Sequence, residues 1–367
     1  MNTIHKATET MTAKERVART FQFEKTDRVT IGYDTNPVAH RNLCDALGIN
    51  PKDDITFLKA LGVDYVRVAP VYNGPGLYEN IPGRRRNPEN GAVIKYIKNQ
   101  FGGYWDFCDF PLKGADDDTI YNYPFPDPDY YDYDGADTYI NRMIGEGFAV
   151  HMGDPGLGDI LNSTGMIMGT EDTLVQLATG HEATLHMLDK RLNSALGVLE
   201  RVLSRNRGKI DFVWMGEDLG TQHTPLISLE MYRNILRPRH QKFIDLAKVF
   251  GLPVMIHTCG YSSWVYEDFI EMGVNGVDTL QPEAQNMSPA YLKEHFGGRL
   301  NFRGCISTAG VLAYGTPEET ETICRETLEI MKKCRGYHFA PTHQIQDNTP
   351  PENTIAMYNA AHRYGVY

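Results

Sequence analysis

Eight short apolar runs, most of them separated from the next by stretches of helical periodicity, constrain this chain more than any other feature of it. The runs lie at 28–33, 64–69, 147–152, 210–215, 253–257, 276–280, 300–304 and 337–341. Each is too short for a stable helix and rich in β-branched or aromatic residues, as buried strands are. Helical patterns fill most of the intervals, at 37–47, 156–168, 171–206, 226–250, 261–272, 288–295 and 316–333, with one more at 11–23 before the first strand. Pro238 predicts a kink in 226–250. Strands that alternate with helices build parallel sheets, and eight such units predict a (β/α)8 TIM barrel forming one domain over 1–367.

One region breaks the rhythm. Residues 71–140 are rich in Gly and Pro, and read as a long insertion. Within it, 92–112 predicts an aromatic hairpin, while 116–139 carries eight aspartates and six tyrosines. A charge-rich stretch is most simply a solvated loop. An insertion this long also suits a lid or docking surface, and this composition predicts a mobile lid over the barrel mouth with no core of its own.

The bulk numbers exclude several functions. A net charge of −11 argues against nucleic acid as partner. No run of 18 apolar residues offers a membrane span. The N-terminus, beginning Met1, Asn2 and Thr3, lacks the apolar core of a signal peptide. Six cysteines in 367 residues do not form a disulfide scaffold, so reduced thiols and a cytoplasmic location are expected.

In a TIM barrel the chemistry sits at the C-terminal ends of the strands. His257 and Cys259 lie where the fifth strand runs out. Residues two apart on an extended chain point the same way, so an imidazole and a thiol emerge side by side. Both are good zinc ligands. A third ligand must come from another strand end, and His343 and Cys305 are the candidates, with Glu217 able to close the shell through oxygen. Glu217 and Asp218 are adjacent carboxylates at the fourth strand's end, suited to general-base and orienting roles. His151, Asp154, Tyr72 and Arg303 are the candidate substrate contacts. Each has a plain alternative reading as a turn acid, a cap or a loop hydrogen-bonder.

Several motifs resemble the uroporphyrinogen decarboxylase-like superfamily. They are the opening from Thr12 to Arg28 with Lys14, Glu15, Arg16 and Val17; the run Gly216–Gly220; His257–Gly260; Gly304–Thr308; and Ala340–His343 followed by Thr349–Asn353. The resemblance implies a (β/α)8 barrel and one of two chemistries. Porphyrinogen decarboxylases carry an arginine-rich motif near the first strand, whereas this chain has Tyr33–His40 without arginines there. The other branch, the cobalamin-dependent methyltransferases, holds zinc through His-x-Cys and a distant Cys. His257 and Cys259 match the first two positions, and His343 stands near the third. Two nitrogens and one sulfur make a harder zinc, which suits oxygen. The resemblance therefore implies a zinc-assisted methyltransferase that takes a methyl group from a small methyl ether or methanol-type donor to Co(I) of cobalamin on a partner corrinoid protein. A lyase acting on a carboxylated substrate, or a non-catalytic metal-binding subunit, are the alternatives.

Overall fold

The computed structural model describes residues 3–367; Met1 and Asn2, where the reading of the N-terminus begins, lie outside the described residues. All eight apolar runs form strands: β1 Thr30–Ile31, β2 Tyr65–Val68, β3 Ala149–Met152, β4 Phe212–Gly216, β5 Val254–Thr258, β6 Gly276–Thr279, β7 Asn301–Ile306 and β8 Tyr337–Pro341. They pair in parallel around one sheet in the order β1-β8-β7-β6-β5-β4-β3-β2. The remaining seam, β1 to β2, is closed differently. Asp64 N donates to Ile31 O at 2.9 Å, and Ile31 N donates to the Asp64 carboxylate at 2.7 Å. The result is a nearly closed (β/α)8 TIM barrel.

Strand alternation sorts the side chains onto two surfaces. Outward residues such as Val213, Ile256, Val277 and Phe302 join the surrounding helices in the main core. Inward residues Tyr65, Phe212, Trp214 and Met255 pack on Val17 and Phe21 of the helix Ala13–Phe21. That helix stoppers the N-terminal end of the barrel, and Thr12 starts it by accepting from Glu15 N at 3.2 Å. Burying a Phe or Met side chain stabilises by about 1.5–3 kcal/mol, so the plug is firmly seated.

Four helical details differ from the sequence expectation, the first being the helix Tyr133–Gly145 at the end of the segment read as an acidic loop. The helix Asp54–Leu61, capped by Asp53, has eight residues, too few to show a clear helical period. The long pattern 171–206 divides into Thr170–Ala178 and Glu182–Arg205, because Gly180 turns left-handed at φ +65°. Ahead of Pro238 the chain forms a π-helical turn at Tyr232–Leu236 before Arg237–Val249 begins. The wider turn accommodates a residue that has no N–H to give.

The insertion contains the expected aromatic hairpin, Val93–Ile97 paired antiparallel with Tyr104–Phe107, and Arg85–Arg86 adds a third strand. The acidic part corrects the expectation. Ala92, Leu112, Ile120 and Tyr123 pack with Ile167, Met168 and Met187 in a second core. Several of the aspartates have partners, although most of these side chains stay exposed. Asp116, Asp127 and Asp132 cap helical turns, while Asp129, Asp134 and Asp137 meet Arg201 and Arg205 of Glu182–Arg205. Anchored in this way, the chain turns the apolar residues between them inward. Among the described residues, no helix is long and apolar enough to cross a membrane.

Candidate metal centre and its cavities

His257, Asp278, Arg303 and His338 stand in register on β5, β6, β7 and β8, so all four side chains enter the barrel at one level. One Asp278 oxygen lies 2.6 Å from His257 Nδ1, and the other accepts from Arg303 Nη1 at 2.6 Å. Arg303 also donates to Tyr65 Oη at 2.9 Å and to Asp34 at 3.0 Å. Held from behind through Nδ1, His257 places Nε2 3.4 Å from Cys259 Sγ. The loop after β8 brings the His343 ring to 5.6 Å from that of His257. One ligand atom from each of His257, Cys259 and His343 lies within 4.8 Å of the other two. Gly260 lets the chain turn away at once. Its φ is +69°, and a Cβ there would stand 2.4 Å from the Gly220 carbonyl.

The donor set fits zinc. Bonds of about 2.0–2.3 Å in a tetrahedron separate the ligand atoms by about 3.3–3.8 Å. The 3.4 Å between His257 and Cys259 falls in that range, and His343, in an exposed loop, needs only a small closure.

Electrostatics separate these groups. Burial pulls the His257 pKa down, but Cys259 and Asp278 outweigh it and hold it well above the usual value. Burial pushes Asp278 up, yet Arg303 and His257 leave it depressed and ionised. Asp218 behaves likewise, burial being outweighed by His257 and the Cys259 amide. Burial raises the Cys259 thiol. His151 is pushed down to about 3 by burial and then by Arg303, so it is neutral at pH 7.

Two cavities meet at these residues. The larger, about 970 Å³, enters the barrel past Tyr33 and Asp34 to a floor that includes Tyr65, His151, Trp214 and Arg303. The smaller, about 440 Å³, lies between the rim and the insertion, walled by Asn87, Phe125, Tyr131, Arg191 and Asp218. His257 and His343 line both, as do Arg67 and Asp154, which form an ion pair.

Of the residues singled out from sequence, the structure gathers His257, Cys259, His343, Asp218, His151, Asp154 and Arg303 around these cavities. It corrects three. Glu217, expected as a ligand or base, points away from the cluster. Gly216 is level with His257, so the next residue points outward; the Glu217 carboxylate accepts from Ile160 N and Leu161 N at 2.7 and 2.9 Å and lies 3.1 Å from His240 Nε2. Burial pushes it up to about 7. Cys305, expected as the alternative ligand, also stands away from the cluster. Positive φ at Gly304 (+118°) and Cys305 (+70°) breaks the alternation of β7, and the thiol is buried in the main core. Tyr72 lies apart from both cavities, pairing with Tyr131 across a two-residue bridge and donating to Pro75 O at 2.9 Å.

Sequence reasoning missed Asp278 and Trp214, which lie within strands rather than at their ends. Asp278 did leave a signal: a charged residue inside a strand buried on both faces must have a partner.

The chain is a (β/α)8 barrel whose His257, Cys259 and His343 present an N, S, N donor set at the C-terminal rim, where TIM barrels carry their sites. The uroporphyrinogen decarboxylase (URO-D) family model matches residues 169–364, more than half of the chain, and the protein belongs to that family. Among solved structures, the fold matches a methyltransferase from Methanosarcina mazei with a TM-score of 0.65 and 17% identity, over 96% of this chain and 98% of that one. No curated protein matches the chain.

Proposed function

We propose that this chain is a zinc-assisted methyltransferase that moves a methyl group from a small donor, a methyl ether or methanol, to Co(I) of a corrinoid carried by a partner protein. The observation that carries the reading is the convergence of His257, Cys259 and His343 where two cavities meet. The name of the Methanosarcina mazei neighbour, a methyltransferase, supports it. Zinc held by these three residues would supply Lewis acidity to the donor's oxygen.

The chain's own groups do the rest. The transfer would break a methyl–oxygen bond as the methyl carbon bonds to cobalt, and the oxygen anion left behind would take one proton from solvent water as the product leaves. Asp218, kept ionised and oriented by Asn162 Nδ2 at 2.7 Å and Cys259 N at 2.8 Å, suits positioning a hydroxyl rather than donating a proton. Neutral His151 and the indole of Trp214 form part of the floor on which a donor's apolar part could pack. Arg303 is committed to Asp34 and Asp278, which leaves it poorly placed to hold a substrate carboxylate and weighs against the lyase reading.

The test is metal analysis of the purified protein, followed by a screen of methanol and methoxybenzenes against free cob(I)alamin. Bound zinc near one per chain and donor-dependent loss of the Co(I) absorbance are expected. Zinc without turnover of any donor favours a non-catalytic metal-binding subunit. No metal and no turnover favours the lyase.

A further inference from the structure

We infer that Asp278 is the positioning residue of the metal centre, and that through it the ligand His257 and the cavity-floor residue Arg303 share one carboxylate. The inference rests on the zinc reading above, and it concerns what holds the ligands rather than the ligands themselves.

Three observations carry it. Asp278 is fully buried, and a buried charge persists only where it is paired. Both its oxygens are in use at 2.6 Å, one at His257 Nδ1 and one at Arg303 Nη1. The register of β5, β6 and β7 makes these three residues direct neighbours, so the contacts follow from the sheet and not from a flexible loop. A carboxylate on Nδ1 keeps the proton there and leaves the Nε2 lone pair facing Cys259 and His343. Partners of this kind fix a ligand's ring and raise its basicity, and their loss lowers metal affinity by about 10–100-fold.

The backbone beside Asp278 points the same way. Thr279 has φ +94° and Leu280 +54°, conformations that β-branched and bulky residues rarely adopt. Strain of this kind is held only where the surroundings enforce it. The Thr279 hydroxyl lies 3.0 Å from His257 Nδ1 and 3.9 Å from Cys259 Sγ. The strained turn therefore presses a second polar group against the same ligand pair. On the far side, Arg303 carries the link on to Asp34, whose side chain is 30% exposed in the larger cavity. A change in Arg303's surroundings is thus felt at His257 through a single bridging carboxylate.

The experiment is competition for zinc between the purified full-length chain and a chromophoric chelator. Asp278→Asn should bind zinc about 10–100-fold more weakly than the unmutated chain. Asp268→Asn, which alters another buried carboxylate, one paired with Arg233 and Arg237 and lining neither cavity, should bind as the unmutated chain does. Arg303→Lys should lower affinity less than Asp278→Asn, because the carboxylate keeps its contact with the ring. Equal affinity of Asp278→Asn and the unmutated chain would overturn the inference and leave the zinc reading standing. An unmutated chain that takes up no zinc removes both.

Should Asp278→Asn fail to fold, the zinc-loaded unmutated chain still decides the matter. The His257 Nδ1 proton should resonate far downfield and exchange slowly with water, as a buried proton on a carboxylate does. A fast-exchanging or undetectable Nδ1 proton would overturn the assignment.

Discussion

Two buried arginine–aspartate networks sit at opposite ends of this barrel, and only one of them faces a cavity. At the N-terminal end, Arg16 donates to Asp27 at 2.6 Å and to Asp64, while Arg28 donates to Asp64 and Glu9, each at 2.7 Å. At the C-terminal end, Arg303 bridges Asp34 and Asp278, and Asp278 holds His257. Burial and chemistry are alike. The first network spends its oxygens on arginines and backbone amides that close the β1–β2 seam, and borders none of the cavities described above. The second stops short of closing: Asp34 opens into the larger cavity and His257 faces two other donors. Buried charge does not by itself mark a functional site; a buried charge whose chain of contacts ends in open space does.

The contrast can be broken by substitution. Asp64→Ala leaves two arginines buried without their shared partner. Breaking a buried pair costs about 3–5 kcal/mol, so the urea midpoint should fall sharply or the fold be lost. A loss below about 1 kcal/mol would mean that the N-terminal network is not structural.

Asp27→Asn should cost about 1.5–3 kcal/mol at pH 7, the range for hydrogen bonds to charged groups. Burial raises the Asp27 carboxyl, but Arg16 and the amides of Thr10 and Met11 outweigh it and hold its pKa well below the usual value. A depressed folded pKa contributes stability that is complete above the unfolded value, about 3.9, and is lost as pH falls through the folded one. Thermal unfolding followed from pH 6 to pH 2 should therefore show a smaller loss in Asp27→Asn than in the unmutated chain.

At the C-terminal rim the effect on stability should be smaller and the effect on metal larger. His343→Ala, in an exposed loop, should change the unfolding midpoint by no more than about 0.5 kcal/mol while bound zinc falls well below one per chain. Cys259→Ser should likewise lose zinc with the far-ultraviolet circular dichroism unchanged. Full zinc retention in both would dissolve the contrast between the two ends.

The smallest effect belongs to the surface. Asp134→Ala removes an ion pair with Arg205 from a side chain that is 92% exposed, and should leave the urea midpoint where it is in the unmutated chain.

The strand framework was readable because period-2 runs alternate with period-3.6 runs, and that pattern is local. His257 and Cys259 were readable because two-residue spacing on a strand is also local. The orientation of Glu217 was not, since it depends on the register of β4 against β5, a relation between residues 41 apart in sequence. Cys305 failed for a similar reason: positive φ at two consecutive residues reverses the side a thiol faces, and composition gives no warning of it at Cys305. The second core under the acidic segment was hidden because its apolar residues come from 92–123 and 167–187, neither of which is hydrophobic enough to stand out alone.

The two-residue strand β1 has a consequence for how the chain is made. Its ladder partner is β8, with Thr30 opposite His338. During synthesis the first strand waits for a neighbour that leaves the ribosome only after some three hundred further residues. Arg16 and Asp27, only 11 positions apart, can find each other early and hold the N-terminal helix beside the strand. The ring itself cannot shut until β8 arrives. A growing chain of this design carries an unpaired strand edge throughout its elongation, which is the state most open to misassembly and to chaperone capture.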